Sequence, residues 1–156
     1  MLKVISAIIA ISTLLFKDCD IVRLTNDVTN FDADIYYNNR LLSISTNDSQ
    51  RLLVLVEGLL SEADGLYELL VTDDLITSIR QNENYLEIIY KKERNISIGK
   101  FESISFTKLL IPLTGKYTSL NHLTFFCGYP EYSSGPYTKS KGLIELRTFL
   151  GKHLKE

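Results

Sequence analysis

The feature that most constrains the fold is an alternation of apolar and polar residues in the middle of the chain. Ile96 and Ile98, and then Ile104 and Phe106, recur at every second position. This period of two is typical of half-buried antiparallel strands, whose successive side chains point to opposite faces. We therefore predict an antiparallel sheet of roughly five to seven strands, built mainly from residues 75–127.

The first strands of this sheet are predicted on either side of a polar turn. Apolar residues at 76–79 and 85–90 flank the turn at 81–84. The charged run 91–94 is predicted to be a hairpin tip leading to the strand at 96–98. Because this run contains a carboxylate, it is typical of a solvated turn rather than of a basic binding patch.

Ile35–Ser45 is predicted to form an earlier hairpin with its turn at Asn38 and Asn39. Asparagine tolerates the positive φ that a two-residue turn requires. Just before it, Asn30, Asp32 and Asp34 have the spacing of the first ligands of a calcium loop. The sixth and twelfth positions of such a loop should be Gly and Glu, but they are Ile and Leu here. We therefore favour ordinary turns over a metal site.

Two amphipathic helices complete the prediction. Residues 48–63 carry an apolar stripe, with Asn47 as the N-cap, Gln50 in the capping-box position and a stop at 64–65. A strand over 52–56 is the alternative, since five successive apolar residues fit either structure.

The second helix is predicted over 141–154, where leucines recur at helical spacing. A strand over 143–149 is its alternative. The predicted fold class is α+β: an antiparallel sheet with one helix before it and an amphipathic helix at the C-terminus.

The opening run Val4–Phe16 is the most apolar segment and lies between two lysines. This arrangement is typical of a secretory signal or a membrane anchor, with residues 2–16 in the membrane. A buried core element is the alternative, since a spanning helix needs about 20 apolar residues. We divide the chain into this N-terminal segment, 1–18, and a single α+β domain, 19–156.

Composition excludes one class of partner and leaves the compartment open. A net charge of −2 gives no basic face for nucleic acid. Cys19 and Cys127 could form a disulfide in an exported protein, whereas in the cytosol both would remain thiols.

The sequence contains no convincing catalytic centre. His122 and Cys127 are imaginable as base and nucleophile, but they lie at opposite ends of one predicted strand, about 16 Å apart. Glu131 and Glu145 are the best available pair of carboxylates for acid/base chemistry. No metal-ligand cluster, phosphate loop or cofactor motif is visible. We therefore predict that the protein is not an enzyme and holds no cofactor or metal.

The segment Tyr129–Tyr137 is rich in Gly and Pro and is predicted to be a loop. Tyrosine is enriched at protein interfaces because it buries a large area and keeps a polar tip. The predicted binding residues are Tyr117, Tyr129, Glu131, Tyr132 and Tyr137, although these rings would equally serve to cover the sheet.

Our hypothesis from the sequence is a small non-catalytic binding protein of the cell envelope, of the inhibitor, immunity or accessory-factor type, whose partner is another protein. The first alternative is a cytosolic enzyme with an unrecognised carboxylate or Cys/His site. The second is a structural subunit tethered to a membrane.

Overall fold

The structure, a computed structural model, describes residues 33–118 and 121–154. The opening run Val4–Phe16, Cys19 and the first two positions of the calcium-loop spacing lie outside the described residues. The described part consists of one antiparallel sheet of seven strands and three helices. The predicted α+β class is therefore confirmed, including the C-terminal helix.

The sheet has the spatial order β2-β1-β4-β5-β6-β7-β3, and every neighbouring pair is antiparallel. Its strands are β1 (Ala33–Tyr37), β2 (Arg40–Leu41), β3 (Gly65–Leu66), β4 (Tyr85–Ile98), β5 (Glu102–Pro112), β6 (Leu123–Gly128) and β7 (Tyr132–Lys139). The two outermost strands, β2 and β3, have two residues each.

The first hairpin forms with its turn at the predicted residues, but its second strand is Arg40–Leu41 and does not extend to Ser45. Asn38 and Asn39 have φ values of 48° and 63°, the left-handed conformation that a two-residue hairpin turn needs. The side chain of Asn38 also accepts a hydrogen bond from the backbone N–H of Tyr85 at 2.8 Å. This bond ties the turn to the neighbouring strand β4.

Helix α1 (Thr46–Ser61) confirms the helical interpretation of this segment over the strand. Its N-cap is Ser45 rather than Asn47, because the Ser45 hydroxyl accepts a hydrogen bond from the Asp48 N–H at 3.1 Å. A bidentate ion pair joins Arg94 of β4 to Glu57 of the helix, at 3.0 and 2.8 Å. The buried side chains of the helix are Leu52, Leu53, Val56, Leu59 and Leu60.

Helix α3 (Leu143–His153) confirms the predicted C-terminal helix and packs beside α1. It buries Leu143 and two further leucines one turn and two turns on. Gly142, just before it, has a φ of 120°. A Cβ at that position would lie 2.6 Å from Leu59 and 3.2 Å from Leu123, so α1, α3 and β6 approach closely around this glycine.

The strand predicted over 76–79 is wrong, since these residues lie in helix α2 (Asp73–Asn82). The Thr72 hydroxyl accepts a hydrogen bond from the Leu75 N–H at 3.2 Å and so caps the first turn. Ile76 and Ile79 are both buried, and their spacing of three puts them on one side of the helix.

The predicted hairpin tip at 91–94 is also wrong, because these residues continue the long strand β4. The pairing with β5 shifts between Ile89 and Arg94, which lie opposite Lys108 and Phe106. Five positions along β4 thus cover the same stretch as two positions along β5. An irregular bulge of several residues absorbs the charged residues without ending the strand.

The segment Tyr129–Tyr137 is largely strand rather than loop, since β7 begins at Tyr132. Pairing with β6 is irregular around Cys127, where the register shifts. Proline is tolerated in a sheet at such irregular positions. The carbonyl of Pro136 accepts a hydrogen bond from the Tyr67 N–H at 3.0 Å, so this proline still takes part in the sheet.

The helices lie on opposite faces of the sheet. Helix α1 packs against β4 and β7, next to α3. Helix α2 covers part of the other face, where side chains of four strands surround its two isoleucines. The core on this side consists of Ile76, Ile79, Tyr85, Leu110, Phe126 and Tyr132.

Candidate functional site

A buried carboxylate lies in the sheet beside α2. Glu87 alternates along β4 with Leu86 and Ile88, so it points to the same face as Tyr85, toward α2. Only 5% of Glu87 is exposed. Burying a carboxylate is costly unless it is paired and hydrogen-bonded, and the surroundings of Glu87 supply both kinds of partner.

Arg80 of α2 and Tyr132 of β7 bind the same oxygen of Glu87. The Tyr132 hydroxyl donates to Oε1 at 2.7 Å, and Nη2 of Arg80 bonds to it as well. The Arg80 guanidinium also lies over the Tyr132 ring, 5.6 Å from its centroid. The three side chains therefore form one connected cluster between the helix and two strands.

The pKa shifts in this cluster follow from its burial and charge. Burial, followed by the negative charge of Glu87, raises the pKa of Tyr132 well above its ordinary value. Burial alone would lower the pKa of Arg80, but the hydrogen bond and charge of Glu87 outweigh it, and the pKa is raised. Tyr132 is therefore a neutral hydrogen-bond donor and Arg80 a cation at every physiological pH.

A cleft of about 650 Å³ opens beside this cluster, where α2 leaves the sheet face uncovered. Its two cationic residues, Arg80 and Lys108, come from the helix and from β5. The lining residues are Tyr36, Asn39, Thr77, Arg80, Gln81, Tyr85, Glu87, Ile89 and Lys108.

A second surface feature begins in the edge strand β3 and continues into the segment after it. Leu66, Tyr67, Leu69 and Leu70 are exposed by 48%, 46%, 40% and 80%, and we call these four residues the apolar ridge. Two members of the ridge, Tyr67 and Leu69, share an open depression of about 380 Å³ with Tyr117.

The structure separates the residues that the sequence analysis grouped for binding. Tyr129 is 61% exposed, whereas Tyr132 and Tyr137 are 5% and 2% exposed and belong to the core. Tyr117 is half-buried against the α2 core and borders the apolar ridge. Glu131 is exposed, with Oε2 3.9 Å from the ammonium of Lys108. Only the exposed members of this group can contact a partner directly.

The candidate catalytic residues are not assembled into a site. Cys127 is fully buried in β6, and burial raises the pKa of its thiol, which keeps it protonated. His122 is exposed in the segment before that strand, and Glu145 lies on the exposed side of α3. Whether Cys127 pairs with Cys19 stays a prediction, because Cys19 lies outside the described residues.

Within 33–118 and 121–154, no group of three His, Cys, Asp or Glu side chains could hold a metal ion. Across the same ranges, none of the helices has the length and apolarity needed to cross a membrane. No protein-family model, curated protein or solved structure matches this chain.

Sequence reasoning missed the two most informative features. Glu87 is the one charged residue within the apolar run 85–90, and a charge in a strand buried on both faces is a signal for a specific partner. The partner itself, Arg80, was not identified because its segment was predicted to be a strand. The apolar ridge was missed because an apolar run in a sequence is ordinarily read as core.

Proposed function

We propose that this protein is a non-catalytic binding protein that docks another protein through the apolar ridge. The observation that carries the proposal is the exposure of four large apolar residues within five positions, Leu66–Leu70. Scattered exposed apolar residues are ordinary, but a contiguous group is typical of an interaction site. The function belongs to the inhibitor, immunity or accessory-factor type.

Other exposed apolar residues of the domain make a useful contrast. Val54 and Ile144 are 59% and 61% exposed, but the residues three and four positions before and after each of them are polar or glycine. The ridge instead follows an edge strand and joins Tyr117 in one depression. Tyrosine and leucine side chains that are grouped in this way can enter a partner's groove together.

The charges around the ridge indicate the partner's chemistry. Residues 62–79 contain five carboxylates and neither lysine nor arginine. The ammonium of Lys139 lies 3.7 Å from Glu62 and 4.0 Å from Asp64, so one cation partly compensates the first two. The remaining three, Glu68, Asp73 and Asp74, are exposed. One cation, Lys116, lines the same depression as Glu68, so the acidic residues still outnumber it by two. We therefore propose a protein partner with an apolar groove and a basic rim.

A location in the cell envelope is part of this proposal and rests on the apolar run Val4–Phe16. Fractionation of the native host, with intact-mass measurement of the full-length chain, tests it. Membrane retention or loss of the first residues supports the location. A full-mass chain in the cytosolic fraction would exclude it, while leaving the binding proposal to its own test.

The binding test places a photo-crosslinking amino acid at position 70 of the full-length chain in its native host. The matched control carries it at position 144, which is exposed and apolar but lies outside the ridge. We expect a discrete adduct with a different protein from position 70 only. Reversing the charges of Asp73 and Asp74 to lysine should abolish that adduct if the partner's rim is basic.

Binding of the crosslinked partner is then measured with both proteins purified. Tyr67→Ala/Leu70→Ala should weaken it by roughly tenfold or more, as expected for truncating two interface anchors. Val54→Ala/Ile144→Ala should leave it unchanged. An adduct with a second copy of this chain, equal adducts from both positions, or unchanged binding by the ridge variant would each refute the proposal.

A further inference from the structure

We propose that the cleft beside Glu87 is a binding site for a small molecule that joins a carboxylate to an apolar body. The site is separate from the apolar ridge and shares none of its residues. It is formed where α2 ends over the open face of β1, β4 and β5. Its charge, its rigid arginine and its apolar walls each point to this class of ligand.

The lining of the cleft carries a net positive charge. Arg80 and Lys108 are cationic, and the one carboxylate among the lining residues, Glu87, is already bound to Arg80. Lys108 is compensated only loosely, because its partner Glu131 is 72% exposed and 3.9 Å away. Asp34 lies opposite Ile89 on the same face, but it is not among the lining residues.

Glu87 and Tyr132 hold the Arg80 guanidinium in place. Nη2 is directed to Glu87, while the central carbon of the guanidinium lies over the Tyr132 ring. A guanidinium has five N–H donors in a rigid fork that matches a carboxylate. Because 39% of the Arg80 side chain remains exposed, the cation faces the cleft as well as the buried carboxylate. Glu87 and Tyr132 are thus positioning residues for this site.

The walls of the cleft accommodate the apolar part of such a ligand. Tyr36 and Ile89 are half-buried on adjacent strands, and Tyr85 closes the side toward α2. The volume of about 650 Å³ lies within the range of about 300 to 1,000 Å³ that is typical of small-molecule sites. Thr77 and Gln81 add polar groups at the helix side of the opening.

The test is a titration of the isotope-labelled full-length protein with sodium benzoate, followed by amide chemical shifts at constant ionic strength. We expect saturable shifts at Tyr36, Arg80, Ile89 and Lys108. Benzamide, which has the same shape without the charge, should bind at least about tenfold more weakly, because hydrogen bonds to charged groups are the stronger ones.

Lys108→Gln should weaken benzoate binding by about tenfold, since it removes one of the two cations. Lys92→Gln, an exposed β4 lysine outside the cleft lining, is the matched control and should have no effect. Replacing Arg80 alone would leave Glu87 buried and unpaired. The double variant Arg80→Gln/Glu87→Gln removes both charges together and should also lose binding.

Three results would overturn the proposal: no saturable shifts with benzoate, equal binding of benzamide, or shifts confined to residues 66–70. Unchanged affinity in both Lys108→Gln and the folded double variant would do so as well. None of these outcomes bears on the crosslinking from the ridge, so the two proposals fail or succeed separately.

Discussion

Removing the Arg80 guanidinium should destabilise the fold more than removing the Glu87 charge. The Glu87 side chain is 7% exposed and that of Arg80 is 39% exposed. Breaking a buried ion pair by deleting one partner costs about 3 to 5 kcal/mol. Because Arg80 is partly hydrated, and the cleft lets water approach Glu87, we expect Arg80→Gln to lower the free energy of unfolding by about 2 to 3 kcal/mol.

Glu87→Gln leaves no buried charge behind. The amide oxygen still accepts from the Tyr132 hydroxyl, and Arg80 can turn its guanidinium toward water. We expect this change to cost about 1 kcal/mol. The double variant should also cost about 1 kcal/mol, since it removes both charges at once. The two single changes should therefore couple by about 2 to 3 kcal/mol.

The assay is urea denaturation of the full-length wild type and the three variants, followed by far-UV circular dichroism. Equal m-values would show that the same surface is exposed in every case. A loss in Arg80→Gln of less than about 0.5 kcal/mol would mean that Glu87 is not held as a buried charge. A double variant whose loss equals the sum of the single losses, within about 0.5 kcal/mol, would refute the coupling.

Three further outcomes follow from other contacts. Tyr132→Phe removes the hydrogen bond to Glu87 and should lower the free energy of unfolding, measured by urea denaturation, by about 1 to 2 kcal/mol. Tyr137→Phe should cost about 0.5 kcal/mol, because its acceptor is an exposed glutamate; equal costs would contradict this reasoning. The hydrogen bond from the Ser140 hydroxyl, at 2.6 Å, is the main cause that lowers the pKa of Asp64 below its ordinary value of 3.8. A carboxyl pKa that is lower in the folded protein stabilises the fold at pH values above the pKa of the unfolded chain. That contribution is lost as the pH falls through the pKa of the folded protein. Ser140→Ala should therefore cost less than about 1 kcal/mol at neutral pH and nothing at pH values well below 3.8, and a pH-independent difference would count against it. The fully buried Cys127 should escape iodoacetamide in the native protein and react after denaturation, as peptide mass mapping would show, whereas native labelling would place this thiol at the surface.

The α+β class was predictable because the alternation of apolar and polar residues identifies several strands from the local sequence alone. Helix α2 was not, although Thr72 and the two aspartates after it are a recognisable helix start. Ile76 and Ile79 are three positions apart, which places them on one side of a helix but on opposite faces of a strand. Both the spacing and the capping residues therefore indicated a helix, and the short length of the segment concealed it.

Strand β7 and the Glu87 cluster depend on partners that are distant in the sequence. The Gly and Pro residues of 135–136 predict a loop, but β6 supplies a ladder that no local pattern encodes. Tyr132 is 45 positions from Glu87, and the two side chains meet across the sheet face although β5 and β6 lie between their strands. Such a contact requires knowledge of strand order, which a single sequence does not provide.

The shortness of the two outer strands affects how readily copies of this protein could aggregate through the edges of the sheet. Fibres grow when a long, unpaired strand offers its backbone groups to another copy. Among the described strands, β2 and β3 each offer an incoming chain only two residues, so neither is a template for a long ladder. Because β3 is so short, a partner bound at the apolar ridge is held by side-chain contacts rather than by backbone pairing.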